Sequence, residues 1–339
     1  MLVAALGIAA LFSIAFLAKS TEHWPIFSKP TDLTDLVTKQ TSGWIKNPGT
    51  VAKYRKHDPV GPYLQPSDPS PCRTNERRPV DEDGTPWFVD KVGQHRHPLS
   101  AAQCGLSAYN WMIAGGDGAE IVQANADLLI SLQDESGAFR YPFAWKHHLL
   151  DDAWQPGWAS AMAQGEGLSL LVRAWHITKD EKYLVAGRKA LDYLLTPVAN
   201  GGVTTTLTDI DPSLHRYRFY EEYPTQPASY TLNGFMFTLF GLYDWSKAAP
   251  VEFGQQEAEL AFSEGVKTLS RILPYYDLGN ITAYDLGYIT HPDARVLARA
   301  SYHVIHVRQL DLLFRLTGIK TFQKFSRVWE QYVSNPARH

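Results

Sequence analysis
Gly157-Trp158-Ala159-Ser160-Ala161-Met162-Ala163-Gln164-Gly165 runs into an apolar stretch that predicts a helix from about Ala159 to Thr178. Asp180-Glu181 starts a second helix, which ends before Pro197, and Gly201-Gly202 then opens a long loop carrying Tyr217 and Tyr220. The same unit, two helices and a long aromatic loop, recurs on both sides. Upstream, Ser100 reads as the N-cap of a helix to Ala114, and Gly115-Gly116-Asp117-Gly118 turns into a helix ending near Gln133. The loop behind it holds Gly137, Phe139, Tyr141, Phe143 and Trp145. Downstream, helices are expected over about Ser229–Ser246 and Gln255–Leu273, followed by a loop with Gly279, Tyr275, Tyr276, Tyr284 and Tyr288. A last pair spans about Val296–Thr317 and Thr321–Val333. Repeated hairpins with long loops predict an all-α-dominated fold, an incomplete (α/α) toroid of about four hairpins. Alternate helices would line its inside, and the aromatic loops would gather on one rim, where loops on a rigid scaffold carry function.

The composition fits this picture without deciding function. The 339 residues are 45% hydrophobic and 20% charged, ordinary for a globular chain. Ten Trp and 17 Tyr favour a carbohydrate partner only weakly, since aromatics also fill cores. A net charge of −3 marks no general polyanion or nucleic-acid binder, so an acidic ligand would need a local basic groove. Cys72 and Cys104 allow either a bridge or two thiols. No CxxC, HExxH or Walker loop occurs, so neither a metal nor a nucleotide site has support in the spacing.

Three domains are expected: residues 1–20, an extended Pro-rich arm over 21–98, and the helical domain over 99–339. Leu2 to Ala18 is apolar apart from Ser13. As a helix it spans about 26 Å, a little short of a ~30 Å hydrocarbon core. It reads as a signal-anchor or signal peptide. The arm shows no sustained helical or strand period, and its aromatics Trp24, Trp44, Tyr63 and Trp87 would order it by packing on the main domain.

The chemistry concentrates in Phe219-Tyr220-Glu221-Glu222-Tyr223-Pro224-Thr225-Gln226-Pro227, where two carboxylates stand among phenols and the prolines favour an extended chain. With it go Tyr230-Thr231-Leu232-Asn233-Gly234-Phe235, Tyr284-Asp285-Leu286, Leu297-Ala298-Arg299 and Tyr302-His303-Val304-Ile305-His306. This series, in this order, resembles the catalytic C-terminal domain of the heparan sulfate D-glucuronyl C5-epimerases, over roughly Ala124 to the C-terminus. The resemblance implies the toroid and an isomerase that inverts C5 of D-glucuronate in a polysaccharide, without a cofactor. It implies Glu222, Tyr223, Tyr284 and Tyr302 as catalytic, with Glu222 and Tyr302 exchanging protons on opposite faces of the sugar. Homodimerisation and an extracytoplasmic place, membrane-anchored or exported (periplasm, or Golgi lumen in a eukaryote), are family expectations.

The chain departs from the family pattern in several places. A β-rich domain ahead of the catalytic helices has no counterpart after Ala102-Gln103-Cys104-Gly105-Leu106. After Leu286 the family has Arg-His, and here Gly287 and Tyr288 stand; before Tyr302 it has Trp-Asp, and here Ala300 and Ser301 stand; after His306 an Ile-Asn pair becomes Val307-Arg308. A substitute for that Arg is sought in Arg299, Arg308, Arg216 or Arg218, since a guanidinium grips a carboxylate with two bonds. Gln164, Tyr220, Asn233, His303, His306 and Trp145 complete the candidate substrate-binding set, and Lys146-His147-His148 would form a lip for an acidic chain. Each has a plainer role open to it: packing amide, helix cap, core histidine, solvated loop. The alternatives in function are a uronate lyase, a glycoside hydrolase on the same scaffold, and a glycan-binding module without activity.

Overall fold
The computed structural model describes residues 33–46, 49–65, 69–72, 74–91 and 93–335. The apolar segment from Leu2 to Ala18 and Trp24 lie outside them. Among the described residues, no helix is long and apolar enough to cross a membrane.

In chain order the elements are α1 (Leu33–Lys46), β1 (Phe88–Val89), β2 (Gln94–His95), α2 (Pro98–Ile113), α3 (Ala119–Ser131), α4 (Ala161–Thr178) and α5 (Lys182–Leu194). There follow β3 (Thr204–Thr206), β4 (Arg218–Tyr220), α6 (Leu232–Ala248), α7 (Gln255–Tyr276), α8 (Gly287–Thr290), α9 (Ala300–Thr317) and α10 (Lys320–Ser334). The two strand pairs are short antiparallel ribbons. The fold is all-α dominated, as the sequence predicted.

Four hairpins, α2–α3, α4–α5, α6–α7 and α9–α10, supply the scaffold, and their first members pack in series, α2 on α4, α4 on α6, and α6 on α9. Residues Ala161 through Ala174 of α4 are buried without a break. Such a helix has no solvent face and belongs to the interior. Burying Leu168, Leu170 and Leu171 completely stabilises the fold by roughly 1.5–3 kcal/mol each. In α10 burial is confined to Phe322, Ser326, Trp329, Tyr332 and Val333, the single stripe of an outer helix. The α4–α6 contact is backbone on backbone. A Cβ on Gly165 would stand 2.5 Å from Cα of Thr238, and one on Gly241 would collide with the carbonyl of Gly165.

Several boundaries differ from expectation for local reasons. His97, not Ser100, caps α2: its Nδ1 accepts the Ser100 N–H at 3.1 Å, with Pro98 in the first turn. The helix expected from Val296 begins at Ala300, because Leu297 and Ala298 pair with Tyr284 and Ala283 as extended chain. Helix α7 runs through Pro274 to Tyr276. Helix α1 forms inside the stretch read as an arm without period.

The rest of the arm is tied down closely. Backbone groups of Tyr63 exchange two hydrogen bonds with the Asn110 side chain, at 2.8 and 2.7 Å. His57 and Arg173 meet the buried carboxylate of Asp244, each at 2.7 Å, and Ser169 donates to it as well. Burial pushes the Asp244 carboxyl up, but Arg173 and then His57 outweigh that and leave it lowered. Trp87 packs under Arg96 within the arm itself. A disulfide joins Cys72 of the arm to Cys104 of α2.

Candidate active site
The loops 132–160, 195–231 and 277–299 all follow outer helices and knit together at one end of the scaffold. The Ala161 N–H donates to the Glu221 carbonyl, Leu232 to that of Tyr284, and Leu286 to that of Ser229. These bonds carry Glu222, Tyr223, Tyr284 and Tyr302 to one place.

The strand β4 stops at Tyr220, and the chain bends through Glu222 and Tyr223. In a flat strand these neighbours would point to opposite faces; the bend lets both serve one site. The Tyr223 hydroxyl faces the Glu222 carboxyl, Tyr284 faces Tyr223, and Tyr302 faces Tyr284, each close enough to act on its neighbour's proton affinity. The rings of Tyr284 and Tyr302 lie 4.4 Å apart. The result is a carboxyl followed by three phenols in series.

Glu222 packs against the N-terminal turn of α6. The Asn233 side-chain amide donates to it at 3.4 Å, and the Gly234 backbone lies against it. A Cβ at position 234 would collide with a Glu222 carboxylate oxygen, so any larger residue there displaces Glu222. Burial pushes the Glu222 carboxyl up to about 8; the adjacent Tyr223 hydroxyl opposes the rise, and the charges of Glu166 and Asp285 add to it. Burial also raises Tyr223, Tyr284 and Tyr302, and the Glu222 charge adds to each, so all three phenols are neutral donors around pH 7.

Beside this series lies a cavity of about 50 Å³ lined by Tyr141, Trp145, Trp158, Ser160, Glu222 and Tyr223, among others. Tyr141 stacks on Trp158 at 3.8 Å, and Trp158, Trp154 and His147 surround the Tyr223 ring. A cleft of about 730 Å³, large enough for sugar units, runs past His148, His291, Leu297 and Arg299. The Trp145 indole N–H and the Asn233 carbonyl are buried without a protein partner. Buried polar groups are seldom left so, and both suit sugar hydroxyls.

Of the four arginines proposed for carboxylate binding, only Arg299 stays with the site. It lines the cleft, and its charge lowers Tyr302. Arg218 pairs with Glu264 at 3.2 Å beside α7, Arg216 lines a separate pocket there, and Arg308 acts on Tyr54 under the arm. Gln164 is not a ligand group: it accepts from the Phe139 N–H and donates to the Gly137 and Ala190 carbonyls, bracing its loop. Tyr220 is buried with its hydroxyl on the Ala261 carbonyl. His303 and His306 are core histidines on Thr282, and His303 also reaches the Trp329 carbonyl. Asn233 does not cap α6, a place held by Thr231, and touches Glu222 instead.

Glu221 is wholly buried, not solvated. Its carboxyl accepts from Ser229 and the Tyr230 N–H, both at 3.1 Å, and so holds the turn in which Tyr230 adopts φ 54°. His147, read as a groove lip, is buried against Tyr223; burial, then His148 and His291, lowers it to about 3. Tyr141, Trp154, Trp158 and Gly234 were missing from the candidates. The first three lie in or beside the aromatic loop that was singled out, but which rings turn inward is a matter of loop path, invisible in spacing.

With this geometry in hand, the chain was compared with known proteins. The family described as D-glucuronyl C5-epimerase C-terminus matches residues 133–331. A D-glucuronyl C5-epimerase of Caenorhabditis elegans is 36% identical over 218 residues, covering 62% of this chain and 34% of the relative. An uncharacterized protein of Methanocaldococcus jannaschii is 26% identical over 232 residues, 67% of this chain and 66% of its own length. The chain spans about a third of the length of the first relative and about two thirds of the second. It belongs to the D-glucuronyl C5-epimerase C-terminus family.

Proposed function
We propose that this protein is a polysaccharide C5-epimerase that converts D-glucuronate to L-iduronate within a chain, by removing the C5 proton and returning one to the opposite face. The observation that carries the reading is the series Glu222–Tyr223–Tyr284–Tyr302 at the convergence of three loops. The C5 hydrogen is a weak acid, so its removal needs a base, a proton donor across the ring, and positive or donor groups to hold charge on the carboxylate.

Glu222 takes the C5 proton in the forward direction. A carboxyl titrating near 8 is far more basic than an ordinary glutamate, which suits it to the task near neutral pH. Tyr302 gives the proton on the other face, and Tyr284, lying between Tyr223 and Tyr302, steadies the phenolate that forms. Tyr223 orients Glu222. Arg299 holds the uronate carboxylate, and Trp145 and Asn233 meet hydroxyls. The Tyr302 phenolate left after the transfer is re-protonated along Tyr284 and Tyr223 at the expense of the proton that Glu222 took from C5, so no further molecule enters the balance.

A glycoside hydrolase wants two carboxyls facing across a bond. The Glu221 carboxyl is bound to Ser229 and Tyr230, which leaves Glu222 without that partner and favours the epimerase. The proposed substrate, an acidic glycan of the heparosan kind, places the domain outside the cytosol, and the incomplete toroid describes its scaffold. Incubation with a glucuronate polymer in deuterated water tests the reading. Deuterium at C5 in intact chains is expected. An unsaturated product would mean a lyase, shorter saturated chains a hydrolase, and binding without exchange a non-catalytic module; each would overturn it.

A further inference from the structure
Next to the phenol series lies a group of side chains that the reaction above does not use. His147 and His148, from the loop before α4, meet Asp285, from the segment before α8. One donor atom from each lies within 4.8 Å of the other two. The meeting has a packing cause. Residue 287 is glycine, and a Cβ there would stand 2.6 Å from the Leu149 side chain, so the 147–150 loop closes over this segment. The same approach sets His148 Nε2 2.9 Å from Asp285 Oδ2.

We propose that His147, His148 and Asp285 form a site for one divalent first-row transition ion, open to the cleft beside Tyr284. Two imidazoles and a carboxylate are the donor set such ions prefer, whereas Ca²⁺ and Mg²⁺ prefer oxygen alone. His147 is 3% exposed, and its Nε2 has no hydrogen-bond partner, an arrangement that a metal bond relieves. Binding there places the ring proton on Nδ1. That gives up a contact from the Leu149 N–H at 3.4 Å, already longer than an ordinary hydrogen bond. Asp285 Oδ1 is held by the Gly287 N–H at 3.0 Å, which fixes the carboxylate and leaves Oδ2 to ligate. Such support from beyond the ligands is a usual feature of metal sites.

Three protein ligands leave at least one coordination position for an outside group. His148 and Arg299 line the same cleft, so that position receives an anionic oxygen. Resting on the epimerase reading, the group is the uronate carboxylate, held between the ion and Arg299 while Glu222 acts on C5.

Calorimetric titration of Zn²⁺ into the chelator-treated full chain tests the site, with Ca²⁺ as the contrast. One saturable Zn²⁺ per chain is expected, weakened about tenfold or more in His148→Ala and in Asp285→Asn, and unchanged in His215→Ala. His148 is half-exposed, so His148→Ala keeps the fold, and thermal melting without metal verifies this. No saturable Zn²⁺ site, or one that both ligand variants retain, overturns the proposal, and a plain His148–Asp285 ion pair then explains the contact. Binding of a glucuronate oligosaccharide, measured with and without Zn²⁺, tests the last step: tenfold tighter binding with the ion supports it, and equal binding refutes it. C5 exchange by chain that binds no Zn²⁺ would sink the ion site and leave the epimerase standing; a Zn²⁺ site without C5 exchange would do the reverse.

Discussion

Replacing Glu222 by glutamine should improve the stability of the protein at alkaline pH while abolishing its proposed reaction. The carboxyl is buried, and burial raises its pKa from 4.5 to about 8. A raised carboxyl pKa means that the folded chain binds a proton that the unfolded chain has lost over this interval. The associated stability is therefore full below pH 4.5 and is lost as pH rises through about 8. At about 1.4 kcal/mol per pH unit the loss has a ceiling of about 5 kcal/mol. Glutamine has the same shape, accepts from the Asn233 amide through its carbonyl, and carries no charge at any pH. Urea unfolding of wild type and Glu222→Gln at pH 5 and pH 9 measures the effect. The variant's stability relative to wild type should be higher at pH 9 than at pH 5 by a few kcal/mol. Parallel pH dependence in the two proteins would refute the argument, because it would mean that Glu222 ionises as freely in the fold as in the unfolded chain.

Other changes separate the roles of neighbouring groups. Gly234→Ala drives a Cβ into the Glu222 carboxylate; kcat/KM for the glucuronate polymer should fall about 100-fold, as for a catalytic group displaced by about 1 Å, with a retained melting transition. Arg299→Ala removes the cation that holds the carboxylate as charge builds on it and that lowers Tyr302, and should raise KM and lower kcat as well, for a loss in kcat/KM of about 100-fold or more. Arg173→Met leaves the Asp244 carboxylate buried without its main partner and should cost about 3–5 kcal/mol in denaturant unfolding. The Asp244 pKa is lowered, so it contributes stability above the ordinary carboxylate range and loses it as pH falls; the acid side of the Arg173→Met stability curve should be shallower than wild type.

The hairpins were legible because their signals are local. Asp180-Glu181 before a helix, the glycines of 115–118 and the prolines after α5 mark ends within a residue or three of where the chain turns. What the sequence concealed was the path of loops. Nothing in the spacing places His147 and His148 against Asp285, because that contact depends on Leu149 filling the space above Gly287. Gln164, His303 and His306 looked like ligand groups because polar side chains on inner helices are unusual. Gln164 and His303 are inside to satisfy backbone groups of the loops and of α10, and His306 meets the Thr282 hydroxyl, demands set by tertiary packing. The arm concealed α1 because its apolar positions Leu33, Leu36 and Val37 are followed by the polar Gln40 and Thr41 before Trp44, a short stripe inside a longer stretch rich in Pro, Asp, Lys and Ser.

The central claim, that Glu222 moves the C5 proton, is met most directly by hydrogen exchange on the polymer itself. Wild type and Glu222→Gln are each incubated with a glucuronate polymer in deuterated water, and deuterium at C5 is followed by NMR. The account predicts exchange with wild type and a rate lower by about 10²–10⁴ with the variant, its fold intact. Exchange by Glu222→Gln at the wild-type rate would contradict it.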